Sequence, residues 1–169
     1  MPEKETLERA QEDAREGKSP STQAGEFVRE EMDHIREGKH GARSTRQAIA
    51  IGLSKARRAG VKLAAPKAGK TSARTRAQAQ RDTRKGKSAR GQKPSATRSR
   101  ATLKALKREG RSAASPQSLS RQAHRAAQQR GSTARRQAAL KAVRTKGKTG
   151  VRQAALKAAR TRTSHRKAA

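Results

Sequence analysis

Only 16 of the 169 residues are Leu, Ile, Val or Phe, and that shortage limits what the chain can fold into. A highly charged chain with less than roughly 20% of these residues usually cannot bury enough surface to offset the entropy of ordering. Most of the remaining hydrophobic content is alanine, which removes little area from water and chiefly favours helix. The expectation is a mostly α chain with extensive disorder: one small helical hairpin, a string of short basic helices and no single core. No run of apolar residues is long enough to span a membrane, so no membrane partner is expected.

Charge is distributed as unevenly as apolar residues are scarce. Residues 1–40 hold eleven acidic groups and seven Lys or Arg, whereas residues 41–169 hold thirty-seven Lys or Arg against Asp82 and Glu109 alone. A segment so charged repels itself and is favoured beside a polyanion, of which nucleic acid is the abundant cellular example. Folding back of the acidic head onto the basic tail is a further expectation, for the chain free of nucleic acid.

Four segments follow from composition and turn signals. Residues 1–20 form an acidic, charged helical segment that Gly17 ends. Residues 21–63 form a helical hairpin. Its first helix covers Glu26 to Glu37, with Val28, Met32 and Ile35 on one stripe and Gly38 as its stop. Its second begins at Thr45 behind a Ser44-x-x-Gln47 capping box, carries Ile49 and Leu53, and stops at Gly60. Residues 64–99 read as a basic flexible linker. Residues 100–169 read as Ala/Arg/Lys-rich short-helix repeats. In them the ten residues from Arg136 return sixteen positions later, from Arg152, with Val143 replaced by Ala159.

Such helices cannot fold stably alone, because like charges at i, i+4 repel, but a phosphate backbone turns the same charges to advantage. The candidate nucleic-acid-binding residues on the hairpin are Arg43, Arg46, Lys55, Arg57 and Arg58. Those on the basic region are Arg121, Arg125, Arg135, Arg136, Lys141, Arg144, Arg152, Lys157 and Arg160. Phe27 is the only aromatic residue apart from histidine, so base-stacking platforms for single strands are absent, and duplex DNA is favoured over RNA. A protein partner docking on the hairpin is the alternative from another class, with RNA or the ribosome as another polyanion.

Other chemistry finds no footing. Gly69-Lys70-Thr71 and Gly147-Lys148-Thr149 end like a phosphate-binding loop, but Ala64 and Ala142 stand where its first glycine belongs. The chain has no cysteine, and its four histidines show no helical i, i+4 pair, so neither metal nor cofactor is expected. The carboxylates have no visible means of separating their pKa values, and no enzyme is expected.

Residues 26–63, from Glu-Phe-Val-Arg-Glu-Glu-Met to Arg-Gln-Ala-Ile-Ala-Ile-Gly-Leu-Ser-Lys-Ala-Arg-Arg-Ala-Gly-Val-Lys-Leu, resemble a family of short basic bacterial proteins. That family is classed as a domain of unknown function, and some members carry plasmid-stabilisation or DNA-binding labels. In composition the tail is similar to bacterial histone-H1-like proteins. The resemblance implies a bacterial, basic, DNA-associated protein; with the charge of the chain, the expectation is a protein of the cytoplasm, at the nucleoid or a plasmid. It brings no catalytic or binding residues.

Overall fold

Helix propensity and capping account for most of the observed elements, and small residues account for how they pack. The computed structural model describes residues 2–88 and 95–167. Among these are seven α-helices and one 3-10 turn: α1 (Lys4–Arg15), α2 (Pro20–Arg36), α3 (Thr45–Arg58), α4 (Ala73–Lys87), α5 (Ala96–Lys107), the turn Ser112–Ala114, α6 (Pro116–Gln129) and α7 (Gly131–Lys167). The chain divides into two units, residues 1–122 and 123–169.

In the first unit α1 packs on α2, α2 on α3 and α3 on α4. The expected hairpin is its centre. Ser44 caps α3 by accepting from the Gln47 N–H at 3.2 Å, while the Gln47 side chain accepts from the Arg43 N–H at 2.9 Å. α2 starts six residues earlier than expected, at Pro20, because Ser19 accepts from the Thr22 N–H and proline suits the first helical position.

The core lies in two clusters. Phe27, Ala10, Ala24 and Ala56 are packed by Leu7, Leu53, Val61 and Leu63. Met32, Ile35, Ala42, Ala48, Ala113 and Ala114 are packed by Val28, Ile49 and Leu119. Among the described residues, eight of the eleven buried hydrophobic ones are alanine. Short side chains let helix axes approach closely, so a core can form from residues that bury little area each.

That packing corrects the expectation of disorder and adds detail to two of the segments. Extensive disorder does not hold, because alanine both favours the helices and fills the contacts between them. Residues 64–99 are not wholly a linker, since α4 lies in them and packs on α3, with Ala79 and Asp82 buried. It crosses the end of α3 at Gly86, where a side chain would run into the Arg57 carbonyl. The part of that linker at 89–94 lies outside the described residues. The beginning of the segment after residue 100 also meets the hairpin. The Gly41 and Ala42 N–H groups donate to Leu106 and Gly110 carbonyls at 3.0 and 3.1 Å, and the Thr45 hydroxyl donates to the Ala113 carbonyl at 2.7 Å.

Two glycines of the hairpin test this packing in opposite directions. A Cβ on Gly52 would lie 2.7 Å from the Val28 Cα and 2.9 Å from the Phe27 carbonyl oxygen, so backbone would have to move. Gly52→Ala should destabilise by about 1–3 kcal/mol, outweighing the gain of up to about 1 kcal/mol in helix propensity. Gly25, exposed in α2, has nothing within 4 Å of such a Cβ. Gly25→Ala should stabilise by about 0.5–1 kcal/mol. Urea midpoints followed by circular dichroism check both signs.

The second unit holds the end of α6 and all of α7. α7 is interrupted at Gly147, which has φ 69° and ψ 169°, and one copy of the ten-residue repeat lies on each side. Thr145 and Thr161, equivalent in the two copies, each donate to the carbonyl four residues back, at 2.9 and 3.0 Å. Leu140 and Leu156, also equivalent, are exposed. No described side chain of α7 is buried.

Candidate nucleic-acid interface

The acidic head is largely neutralised by bases of its own segment. Glu3, Glu5, Glu8, Asp13, Glu16, Glu26, Asp33 and Glu37 pair with Lys4, Arg9, Lys18, Arg36, Lys39 or His34. Glu30 and Glu31 are buried and share Lys55, whose Nζ lies 2.8 Å from a carboxylate oxygen of each. Residues 1–63 together carry thirteen Lys or Arg against eleven acidic groups. The acidic head and the hairpin together are therefore close to charge balance, and few acids are free to fold back on a tail.

The cluster around Lys55 is tightly coupled. Burial works to raise the Glu30 carboxyl, but the Lys55 ammonium, the Glu3 N–H and the Thr6 hydroxyl hold it below its ordinary value. Burial works to lower Lys55, and Glu30 with Glu31 outweigh it. Glu3, at the surface, is held at about 2 by hydrogen bonds from His34 and Lys39.

The five hairpin candidates separate accordingly. Arg43 and Arg46 are exposed at the start of α3, Arg46 donating to the Gln122 side chain at 3.3 Å. Lys55 is committed to Glu30 and Glu31. Arg57 is buried, with its guanidinium 3.3 Å from the Ala64 carbonyl and 3.5 Å from that of Leu53, and burial lowers its pKa despite Asp82. Its Nε has no partner. Arg58 is exposed, with its Nε 3.2 Å from the Ser54 carbonyl and 3.7 Å from the buried Asp82 carboxylate. Only Arg43, Arg46 and Arg58 of the five present their charge to solvent.

The candidates on the basic region are all exposed. Arg121 belongs to the first unit and donates to the Ser118 hydroxyl at 3.3 Å. Arg125 lies in α6, while Arg135, Arg136, Lys141, Arg144, Arg152, Lys157 and Arg160 line α7. At 100° per residue Arg135, Arg136, Lys141 and Arg144 spread around the helix before the Gly147 break, whereas Arg152, Lys157 and Arg160 after it fall within about 140° of one another. Residues 123–169 contain fourteen Lys or Arg and no acidic residue. Nothing within the unit can neutralise them.

One grouping escaped the sequence. His34 and His40 stand six residues apart, but the Gly38 turn brings their rings to a centroid distance of 5.9 Å, edge to face. Glu31 joins them, and one donor atom from each of the three residues lies within 4.8 Å of the others. The available signal was a glycine stop between two histidines, which a search for i, i+4 spacing does not register.

Residues 15–68 match a family of unknown function (DUF6496), a span that takes in α2 and α3 whole. No curated protein and no solved structure matches the chain.

Proposed function

We propose that this is a non-specific nucleic-acid-binding protein whose target is double-stranded DNA, in a bacterial nucleoid or on a plasmid. The observation that carries the reading is the uncompensated charge of residues 123–169: fourteen bases, no acids, and every described Lys or Arg side chain exposed. Phosphates supply the missing counter-charge, and release of their condensed cations drives association. The first unit has exposed charge of its own at Arg43, Arg46, Arg58 and Arg121. Lys55 and Arg57 support its fold.

Duplex is favoured over single strands because the one Phe is fully buried, leaving no stacking platform. No described side chain of α7 is buried, so nothing fixes its charged groups against base edges, and little sequence preference is expected. Competition at equal salt between a duplex, its scrambled counterpart and a structured RNA tests the reading. Equal competition by the two duplexes, with the RNA weaker, is the expected result. Preference for the RNA would move the assignment to an RNA- or ribosome-associated protein, and failure of all three to bind would end it.

A further inference from the structure

Glu31, His34 and His40 are gathered by local chain geometry. His34 lies in the last turn of α2, one turn after Glu31. Gly38, at φ 78°, reverses the chain, and the Lys39 N–H closes the turn on the His34 carbonyl at 2.9 Å. His40 thus returns beside His34. The side chains of Glu31, His34 and His40 are 1%, 13% and 10% exposed.

His40 shows what the position lacks. Its Nδ1 lies 3.1 Å from the Gly41 carbonyl, which can only accept, so Nδ1 carries a proton. In the neutral ring Nε2 then presents a lone pair, and it faces Glu31 Oε1 at 3.2 Å. A protonated ring would pair with Glu31 directly; in the neutral ring the lone pair and the carboxylate oxygen are two acceptors that a shared cation would bridge, Lys55 already holding the other carboxylate oxygen at 2.8 Å. The surrounding charge points the same way. Glu3, Glu30, Glu31 and Glu37 stand against Lys39 and Lys55, two more carboxylates than ammonium groups.

We propose that Glu31, His34 and His40 bind a divalent transition-metal ion of the zinc class, through one carboxylate oxygen and two imidazole nitrogens. Imidazole and carboxylate suit this ion, and the Gly41 carbonyl orients the His40 ring as an outer partner does in such sites. Bond lengths of about 2.0–2.1 Å in a tetrahedron place ligand atoms about 3.3 Å apart, so the 4.8 Å grouping must tighten by side-chain rotation. A fourth position is left for water or for Glu3, whose Oε1 lies 2.8 Å from His34 Nε2. The ion would clamp the α2–α3 turn onto α2, a device suited to a module with so small a core. It is independent of nucleic-acid binding, since every ligand lies within residues 3–40.

The test is titration of the full-length, chelator-treated chain with Co²⁺. A 1:1 endpoint with visible d–d bands, displaced by Zn²⁺, is expected. His34→Gln and His40→Gln should each weaken Zn²⁺ binding by more than the roughly 10–100-fold cost of losing a ligand's outer partner. His124→Gln with His165→Gln should change nothing. If the first two variants unfold, imidazole ¹⁵N shifts of the unmutated chain decide, with His34 and His40 moving on Zn²⁺ addition. Absence of a 1:1 endpoint, unchanged binding in a folded His34→Gln/His40→Gln chain, or shifts at His124 and His165 only, would overturn the proposal.

Discussion

Duplex binding by this chain should lose affinity steeply with salt, with a log–log slope of roughly −9. The figure follows if about ten phosphates are neutralised, each contributing about −0.9 in B-DNA. Fourteen bases in residues 123–169, with Arg43, Arg46, Arg58 and Arg121 exposed on the first unit, make ten contacts a modest demand. Between 50 and 200 mM salt the affinity should fall by about 10⁵-fold. Fluorescence anisotropy with a labelled duplex measures it. A slope near −2 would mean that only a few charges meet phosphate and that the interface lies elsewhere.

Removing Lys55 should damage the fold instead of the binding. Its Nζ lies between Glu30 and Glu31, whose side chains are both 1% exposed. Glu31 Oε2 has no aligned hydrogen bond and depends on the nearby ammonium charge. Lys55→Met keeps the length of the stem but leaves two buried carboxylates without their cation. Breaking a buried pair in this way costs about 3–5 kcal/mol, a large share of the stability of any small domain. Urea unfolding should show the loss, while the salt slope of DNA binding stays the same. Arg144→Gln should do the reverse, lowering the slope's magnitude by about 0.9 with stability within about 0.5 kcal/mol of the parent. If Lys55→Met reduces the slope and spares the fold, Lys55 is a phosphate contact and the buried cluster is unimportant.

The contrast between these two cations shows what could be read from the sequence. Lys55 and Arg144 are alike as letters in a basic chain, and only the register of Lys55 against Glu30 and Glu31 on the neighbouring helix separates them. Local signals were legible to the residue: the Ser44 cap with Gln47, and the stops at Gly38 and Gly60. Each depends on backbone chemistry within a few positions. The core was harder to read, because counting Leu, Ile, Val and Phe passes over Ala24, Ala48, Ala56 and Ala114, all at 0–1% exposure. α4 was missed as a packed element for the same reason: it buries only Ala79 and Asp82, and Asp82 is held by Ser54 and Gln78, far away in sequence or on a polar face. Long-range partners of this kind leave no periodic trace.

The partition of charge is the central claim: the carboxylates of residues 1–40 are largely paired within the first unit, whereas the fourteen bases beyond residue 122 have no acidic residue in their own unit and are left for phosphate. Amine acetylation of the full chain, with and without duplex and read lysine by lysine by mass spectrometry, tests it inside one molecule. Lys141, Lys146, Lys148 and Lys157 should become protected when duplex is added, while Lys4, Lys18, Lys39 and Lys55 react as before. Protection of the second group, with the first unchanged, would contradict the account.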